Sequence, residues 1–216
     1  MAELAWSERQ LVIGDRTFRI QAPVDPDQLL EQVTERSGID EPEPYWAAIW
    51  QASLGLAAFI LTRDWPASQQ AVELGCGLGI AGLAALSRGL DIVLTDYVPE
   101  AVEAAIANAH RNGFAQASGR TLDWRQPPAW QVPLVFAADV LYERQSHEPL
   151  LNTLDQLLTP QGQAWIGEPG RSVANDFLIL AQQRRFRVEC LDAAGTRLSP
   201  DAFELNQFRL LQLTRR

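Results

Sequence analysis

The chain has 216 residues, of which 47% are hydrophobic and 21% charged, and its formal net charge is −9. This size and composition suit one globular domain with a sizeable core, and we expect residues 1–216 to form a single domain. The negative charge argues against binding to a nucleic-acid backbone, and no apolar run reaches the roughly 18 residues of a membrane span.

The first residues lack the basic and apolar regions of a signal peptide. The two cysteines, Cys76 and Cys190, are too few for a disulfide framework. We therefore expect reduced thiols in a cytoplasmic protein. All 18 basic residues other than histidine are arginine, so the chain contains no lysine.

The N-terminal part, residues 1–62, is predicted to form a hairpin and helices. Two short apolar runs around Gly14-Asp15 predict a β-hairpin over residues 11–20. A helix is predicted from Asp25 to about Arg36, followed by the rigid segment Glu-Pro-Glu-Pro at residues 41–44. An aromatic stretch then leads into a helix that ends near Leu61.

Residues 71–82 organise the rest of the chain, from residue 71 to residue 216. An apolar run over 71–74 predicts a strand, three glycines at alternate positions predict a tight turn, and the run 80–86 predicts a helix. Backbone N–H groups at the start of that helix face a ligand site. A second strand, 91–96, ends in Asp96, whose carboxylate can accept both ribose hydroxyls of an adenosine.

Two cofactors fit this arrangement. Gly77-x-Gly79-x-x-Gly82 matches the dinucleotide fingerprint. Glu73, however, stands where a diphosphate would be repelled, whereas the sulfonium and ammonium groups of S-adenosylmethionine suit an acid. The sequence therefore favours S-adenosylmethionine over a nicotinamide or flavin dinucleotide.

Strands and helices continue to alternate along the chain. The predicted elements are a helix over 99–111, a weak strand over 117–122, a strand over 133–139, a helix over 148–158, a strand over 163–167, a helix over 175–185, and strands over 186–191 and 207–213. The last two are expected to be antiparallel neighbours. The pattern predicts an α/β fold with a Rossmann-like, doubly wound, seven-stranded sheet.

Acids stand at the carboxyl end of five predicted strands, where ligands bind in such sheets: Glu73, Asp96, Asp123, Asp139 and Glu168. Asp123 is placed to accept from the adenine amino group, and the ring of Trp124 to lie against the base. Trp50, in the aromatic stretch, either covers the cofactor or packs in the core.

Two motifs carry a family resemblance. Glu73-Leu-Gly-Cys-Gly-Leu-Gly79 resembles motif I of the class I (seven-β-strand) methyltransferases. Asp139-Val-Leu-Tyr142 resembles the Asp-x-x-Tyr motif of methyltransferase family 16, which includes many protein-lysine methyltransferases. Gly167-Glu-Pro-Gly-Arg171 is similar to the Gly-Asp-Pro-Gly-Arg of the branch that acts on the electron-transfer flavoprotein β-subunit. Here glutamate replaces aspartate, and Trp50-Gln51 replaces a common Trp-Pro. The resemblance covers roughly residues 42–190.

The resemblance implies transfer of a methyl group from S-adenosylmethionine to a protein lysine, leaving S-adenosylhomocysteine. Asp139 and Tyr142 are then the catalytic pair that holds the amine, and Glu168 and Arg171 are substrate-binding residues. The implied cofactor-binding residues are Trp50, Glu73, Gly75, Cys76, Gly77, Gly79, Asp96, Tyr97, Asp123, Trp124 and Ala138.

Two other functions stay open at this point: a small-molecule amine N-methyltransferase, and a non-catalytic cofactor-binding or scaffold domain. The complete set of acids argues against the scaffold. No metal is expected, because His110 and His147 are isolated in the sequence and are interpreted as surface residues.

Overall fold

The structure is a computed structural model that describes residues 5–25, 44–199 and 204–216. The predicted helix from Asp25 to about Arg36 and the connector at 41–44 lie outside the described residues, apart from Asp25 and the backbone of Pro44 at their margins. Nine strands and five α-helices are assigned within the described part of the chain.

The strands are β1 Trp6–Ile13, β2 Arg16–Pro23, β3 Gln70–Leu74, β4 Asp91–Asp96, β5 Ser118–Thr121, β6 Val132–Ala138, β7 Leu158–Glu168, β8 Phe186–Leu191 and β9 Arg209–Arg215. The helices are α1 Gln51–Leu61, α2 Ile80–Ser87, α3 Pro99–Arg111, α4 His147–Leu157 and α5 Ala174–Gln183. Single 3-10 turns cover Pro44–Ala47 and Arg144–Ser146.

Seven strands form one sheet in the order β5-β4-β3-β6-β7-β9-β8. Strands β3 to β7 run parallel, and β9 is inserted antiparallel between β7 and β8. The strand order reverses between β3 and β6, so the carboxyl ends of β3, β4 and β6 open onto one crevice. This confirms the predicted seven-stranded sheet with an antiparallel final pair.

Helices cover both faces of the sheet because its central strands are continuous apolar runs. On one face, α1 and α2 pack together with the hairpin, whose Phe18 and Ile20 are buried in the same cluster. On the other face, α4 and α5 bury Leu150, Leu154 and Phe177 against the sheet. The hairpin predicted around Gly14-Asp15 is confirmed.

Strand β7 begins five residues earlier than the predicted start at Gln163. Val132 pairs with Leu158, the ladder is then irregular, and regular pairing resumes at Leu134 and Gln163. The Pro-containing segment that was predicted to separate helix from strand therefore lies within an irregular stretch of the strand, where a missing N–H donor is tolerated.

The interpretation of His147 as a surface residue is wrong, because its side chain is buried. Its ring Nε2 lies 3.3 Å from the carbonyl oxygen of Leu141, and its ring packs edge-on against Phe177 at 5.5 Å. His147 lies on the same helical face as the buried Leu150 and Leu151, so the i, i+3, i+4 spacing explains its burial.

Candidate active site

The loop between β3 and α2 brings backbone into the crevice. Gly75, Gly77 and Gly79 have φ values of +66°, +48° and +80°, a region that glycine enters without a steric cost. A Cβ at Gly77 would lie 2.9 Å from the carbonyl oxygen of Trp46, so any larger residue there would push the loop off its neighbour.

Asp96 ties this loop to the end of β4. Its two carboxylate oxygens accept hydrogen bonds from the amides of Gly77 at 3.0 Å and Val98 at 3.1 Å. The side chain is buried, and burial raises the pKa of Asp96 above its usual value. Each oxygen keeps a lone pair, so the carboxylate is fixed in place and can still accept from a ligand hydroxyl.

Glu73 lies fully buried beneath the glycine loop. Its Oε2 accepts a hydrogen bond from the amide of Gly82 at 2.9 Å, near the start of α2. Burial raises the pKa of Glu73 to about 8. A Cβ at Gly82 would lie 2.6 Å from this oxygen and 2.2 Å from Leu94, so packing around Glu73 requires the third glycine of the fingerprint.

A cavity opens between this loop and the aromatic stretch. Most of the predicted cofactor residues line it: Trp50, Glu73, Gly75, Cys76, Gly77, Asp96, Tyr97, Trp124 and Ala138. Its wall also includes residues that the sequence analysis did not single out: Tyr45, Trp46, Ala48, Ser53, Leu78, Ile80, Val98 and Val140. Only their nearness in sequence could have identified these residues, since each lies within a few positions of a predicted contact.

Two predicted cofactor residues lie off this wall. Gly79 adopts a left-handed conformation at the N-cap of α2, where a Cβ would lie 3.0 Å from Ala105. The carboxylate of Asp123 is held by Arg125, which donates from its amide and from its guanidinium at 2.9 Å. This hydrogen bond lowers the pKa of Asp123. Asp123 therefore has a partner from its own turn.

The residues on the wall fit S-adenosylmethionine. Among the described acidic and basic side chains that line the cavity, all are acids: Glu73, Asp96 and Asp139. The carboxylates of Asp96 and Asp139 would repel a diphosphate and attract a sulfonium or an ammonium group, and a cation beside Glu73 would favour the ionised form of its carboxyl, whose pKa burial raises to about 8. Asp96 would hold the ribose hydroxyls, and Glu73, which lines the same cavity, would face the cationic end.

A second cavity shares a wall with the first. It is lined by Tyr45, Trp50, Asp139, Tyr142, Glu143 and Arg171, and the first four of these also line the cofactor cavity. The ring of Tyr45 packs edge-on against Trp50 at 6.1 Å and against Tyr142 at 5.8 Å. The indole N–H of Trp50 donates to the carbonyl oxygen of Tyr45 at 2.8 Å, which fixes this aromatic group.

Asp139 stands at the junction of the two cavities. It follows β6 with a φ of +59°, a conformation that aspartate tolerates better than most residues, and its amide donates to the carbonyl oxygen of Gly167 at 2.9 Å. Its buried carboxylate accepts a hydrogen bond from the guanidinium of Arg171. Left-handed backbone at a non-glycine residue is often found at functional sites.

Glu168, predicted to bind substrate, uses its carboxylate inside the fold. It accepts from the amides of Gly170 at 2.9 Å and Arg171 at 2.7 Å, and from Nε of Arg209 at 2.8 Å. Glu168 and Arg209 are both buried. Glu168 therefore shapes the loop that carries Arg171 into the second cavity, and Arg171 is the member of the pair that lines it.

Within the described residues, no group of three or more His, Cys, Asp and Glu side chains is arranged to hold a metal ion. No helix in the same ranges has the length and apolar character that a bilayer crossing demands. Cys76 and Cys190 are free thiols, and burial raises the pKa of both.

Comparison with known proteins gives consistent matches. A family model described as lysine methyltransferase matches residues 40–183. The electron transfer flavoprotein beta subunit lysine methyltransferase of Danio rerio is 30% identical over 64% of this chain and 55% of that protein. The EEF1A lysine methyltransferase 3 of Mus musculus is 30% identical over 58% of this chain and 56% of that protein. The chain thus spans about half the length of these two relatives.

A solved structure shows the same fold. The TehB-like S-adenosylmethionine-dependent methyltransferase from Corynebacterium glutamicum matches with a TM-score of 0.61 at 21% identity, over 75% of this chain and 88% of that one. The predicted Rossmann-like methyltransferase fold is confirmed.

Proposed function

The chain belongs to the lysine methyltransferase family, and we propose that it transfers a methyl group from S-adenosylmethionine to the ε-amine of a lysine in a protein. The main support is that the second cavity, which contains an acid and aromatic rings, shares a wall with the cavity beside the glycine loop, which fits the cofactor. An amine held there would face the cavity that fits the cofactor.

The cofactor, when bound, would supply a methyl group on a cationic sulfur: an amine lone pair would form the new N–CH3 bond in line while the S–CH3 bond breaks and sulfur keeps the electron pair, leaving a neutral thioether. The contribution of the chain is alignment and exclusion of water. Asp96 and the glycine loop would hold the adenosine, and Trp50, which lines the same cavity, would cover the cofactor. Tyr45 and Tyr142 line both cavities and pack against each other.

The acceptor amine must lose a proton before it attacks, because an unperturbed lysine has a pKa of about 10.4. The aromatic walls favour the neutral amine by removing water, while the carboxylate of Asp139 favours the ammonium. The carboxylate and the ring of Tyr142 hold the arriving cation by charge and cation–π attraction. Asp139 therefore orients the amine, and the proton passes to water as the amine enters.

The test is methylation of a source-cell lysate with labelled S-adenosylmethionine, separated into protein and small-molecule fractions. The expected result is label on protein lysines, located by mass spectrometry, with an Asp139→Asn protein as the inactive control. Label confined to small molecules would instead assign the alternative function, a small-molecule amine N-methyltransferase. Binding of the cofactor with no transfer to either fraction would leave a non-catalytic domain.

We further propose that the protein acts in the cytoplasm. The support is chemical: both described cysteines are free thiols, which a reducing compartment maintains. Cell fractionation with an antibody against the chain tests the location, and recovery in an oxidising compartment would contradict it.

A further inference from the structure

Arg171 lines the second cavity. Its guanidinium is hydrogen-bonded to the carboxylate of Asp139, in a space also lined by Tyr45, Trp50 and Tyr142. The side chain of Asp139 is only 6% exposed, whereas that of Arg171 is 33% exposed. The guanidinium of Arg171 is thus bound to the carboxylate of Asp139, which is the group proposed to bind the ammonium of the acceptor.

The fold directs Arg171 to this position. The amide of Arg171 donates to Glu168 at 2.7 Å, and the other oxygen of Glu168 accepts from the amide of Gly170 and from Arg209. The backbone of the loop is therefore anchored by a buried ion pair. The guanidinium, which is partly exposed, is the part of this arrangement that a ligand can displace.

We propose that Arg171 is a built-in occupant of the acceptor cavity, which an incoming amine must displace from Asp139, and that it thereby sets which acceptors react. This inference rests on the proposed function, since it needs the second cavity to be the amine site. A free amine competes poorly with an intramolecular arginine, whereas an amine delivered by a docked protein is held at a high effective concentration and competes well. Glu143 lines the same cavity and offers the displaced guanidinium a second carboxylate.

The first experiment uses the absence of lysine from the chain. Arg171→Lys places an ε-amine at the proposed acceptor position. Once it has lost its proton to water, its lone pair forms the new N–CH3 bond while the S–CH3 bond breaks and sulfur keeps the electron pair. Incubation with S-adenosylmethionine is expected to add methyl groups to residue 171, detected by intact mass and peptide mapping. The rate should not depend on protein concentration, because the reaction is intramolecular.

The matched control is Arg144→Lys. Like Arg171→Lys it gives the chain a single lysine, and this lysine lies close to Tyr142 in sequence. Arg144 is 75% exposed and pairs with Asp176 outside the cavity, so its lysine should stay unmethylated. Methylation of both variants at equal rates would show surface reactivity and would count against the proposal.

The second experiment measures how Arg171 changes the KM for a free amine. Butylamine, which has the length of a lysine side chain, is used as the acceptor for the parent protein and Arg171→Ala. Removal of the competing cation should lower the KM for butylamine by about tenfold or more, the effect expected for a hydrogen bond between charged groups. The Kd for S-adenosylhomocysteine should be unchanged and shows that the variant is folded.

The proposal is overturned if Arg171→Lys binds S-adenosylhomocysteine but stays unmethylated and Arg171→Ala keeps the parent KM for butylamine. Failure of the proposed function looks different, because then the parent protein labels no protein lysine in a lysate. Methylation of Lys at position 171 would still support the occupant in that case and would identify the acceptor cavity as an amine site.

Discussion

The amide nitrogen of Gly77 lies 3.0 Å from a carboxylate oxygen of Asp96. This hydrogen bond joins the glycine loop after β3 to the end of β4, 19 residues away in sequence. Both oxygens of Asp96 accept from backbone amides, so the group is oriented before any ligand arrives. An acid that appeared from the sequence to be a ligand contact is thus also a structural link within the site.

Asp96→Asn should therefore weaken binding of S-adenosylhomocysteine. An amide nitrogen in place of either oxygen would face an N–H donor, and the remaining oxygen cannot serve both ribose hydroxyls. The loss of a hydrogen bond to a charged group is worth about 1.5–3 kcal/mol, which is about ten- to a hundredfold in Kd. Calorimetry measures it. Asp91→Asn, at the exposed start of the same strand, is the control, and an unaltered Kd in folded Asp96→Asn would contradict the assignment.

Stability of the unliganded protein should fall as the pH rises from about 5 to 8. Burial raises the pKa of Glu73 from 4.5 to about 8, so the folded state binds a proton that the unfolded state has released. For an acid with a raised pKa, the contribution to stability is complete below pH 4.5 and is lost as the pH rises through about 8. The ionised carboxylate becomes useful only when a cationic ligand lies beside it.

Glu73→Gln should remove much of this pH dependence, because glutamine does not titrate. Urea unfolding at pH 5.5, 7 and 8.5 should show a flatter dependence of the unfolding free energy than the parent protein has. Glu100→Gln, an exposed residue at the start of α3, is the control and should follow the parent. Parallel curves for the parent and Glu73→Gln would show that Glu73 is already ionised in the free protein.

Gly77→Ala tests close approach within the glycine loop. Its Cβ would meet the carbonyl oxygen of Trp46 at 2.9 Å, so the loop must shift and lose its fit to the cofactor. Gly113→Ala is a matched control, since Gly113 has a φ of +88° but no atom within 4 Å of the added Cβ. Both variants should lose about 1–2 kcal/mol of stability from the left-handed backbone. Only Gly77→Ala should also lose about tenfold or more in affinity for S-adenosylhomocysteine, and equal affinities would contradict the close approach.

Asp139→Asn should keep cofactor binding and lose turnover. Asparagine tolerates the left-handed backbone at this position, so the substitution removes the charge without the strain that alanine would add. The Kd for S-adenosylhomocysteine should stay within several-fold of the parent, while turnover should fall about 10²-fold because the amine is misplaced. Melting temperature is measured on the same preparation. Full turnover of a folded Asp139→Asn protein would end this mechanism.

Two variants of Tyr142 distinguish the role of its ring from the role of its hydroxyl. Its ring packs against Tyr45 and lines both cavities, so Tyr142→Phe should retain more activity than Tyr142→Ala if the ring face holds the cation. Methylation rates and melting temperatures of the two variants decide the matter. Equal losses in both variants would assign the positioning to the hydroxyl, and losses in proportion to folded protein would assign a packing role alone.

The crevice was predictable because strand ends can be located in the sequence. Buried parallel strands appear as continuous apolar runs, and the residues that follow them meet at one edge of the sheet. Glu73, Asp96 and Asp139 were found in this way, and all three line the cofactor cavity. The aromatic stretch was also visible, although the contact of Tyr45 with two other rings required the fold.

Side-chain partners were not predictable. The end of a predicted strand gives the location of an acid in the fold, but it does not identify the residue that binds its carboxylate. The carboxylate of Glu168 is engaged by Arg209, 41 residues later, and that of Asp139 by Arg171, 32 residues later. Both pairings follow from the insertion of β9 and the turn after β7, which no local pattern specifies. The sequence predicted five acids on one rim, but it could not distinguish those facing a ligand from those holding a loop.

The pairing of Glu168 with Arg209 also matters during biosynthesis. The carboxylate is made 41 residues before its guanidinium partner, which at about 5–20 residues per second amounts to roughly 2–8 s. Until β9 is inserted between β7 and β8, the sheet lacks its antiparallel member and the loop bearing Arg171 lacks its anchor. A nascent chain can thus pair β3, β4, β5 and β6 before the loop bearing Arg171 has its anchor.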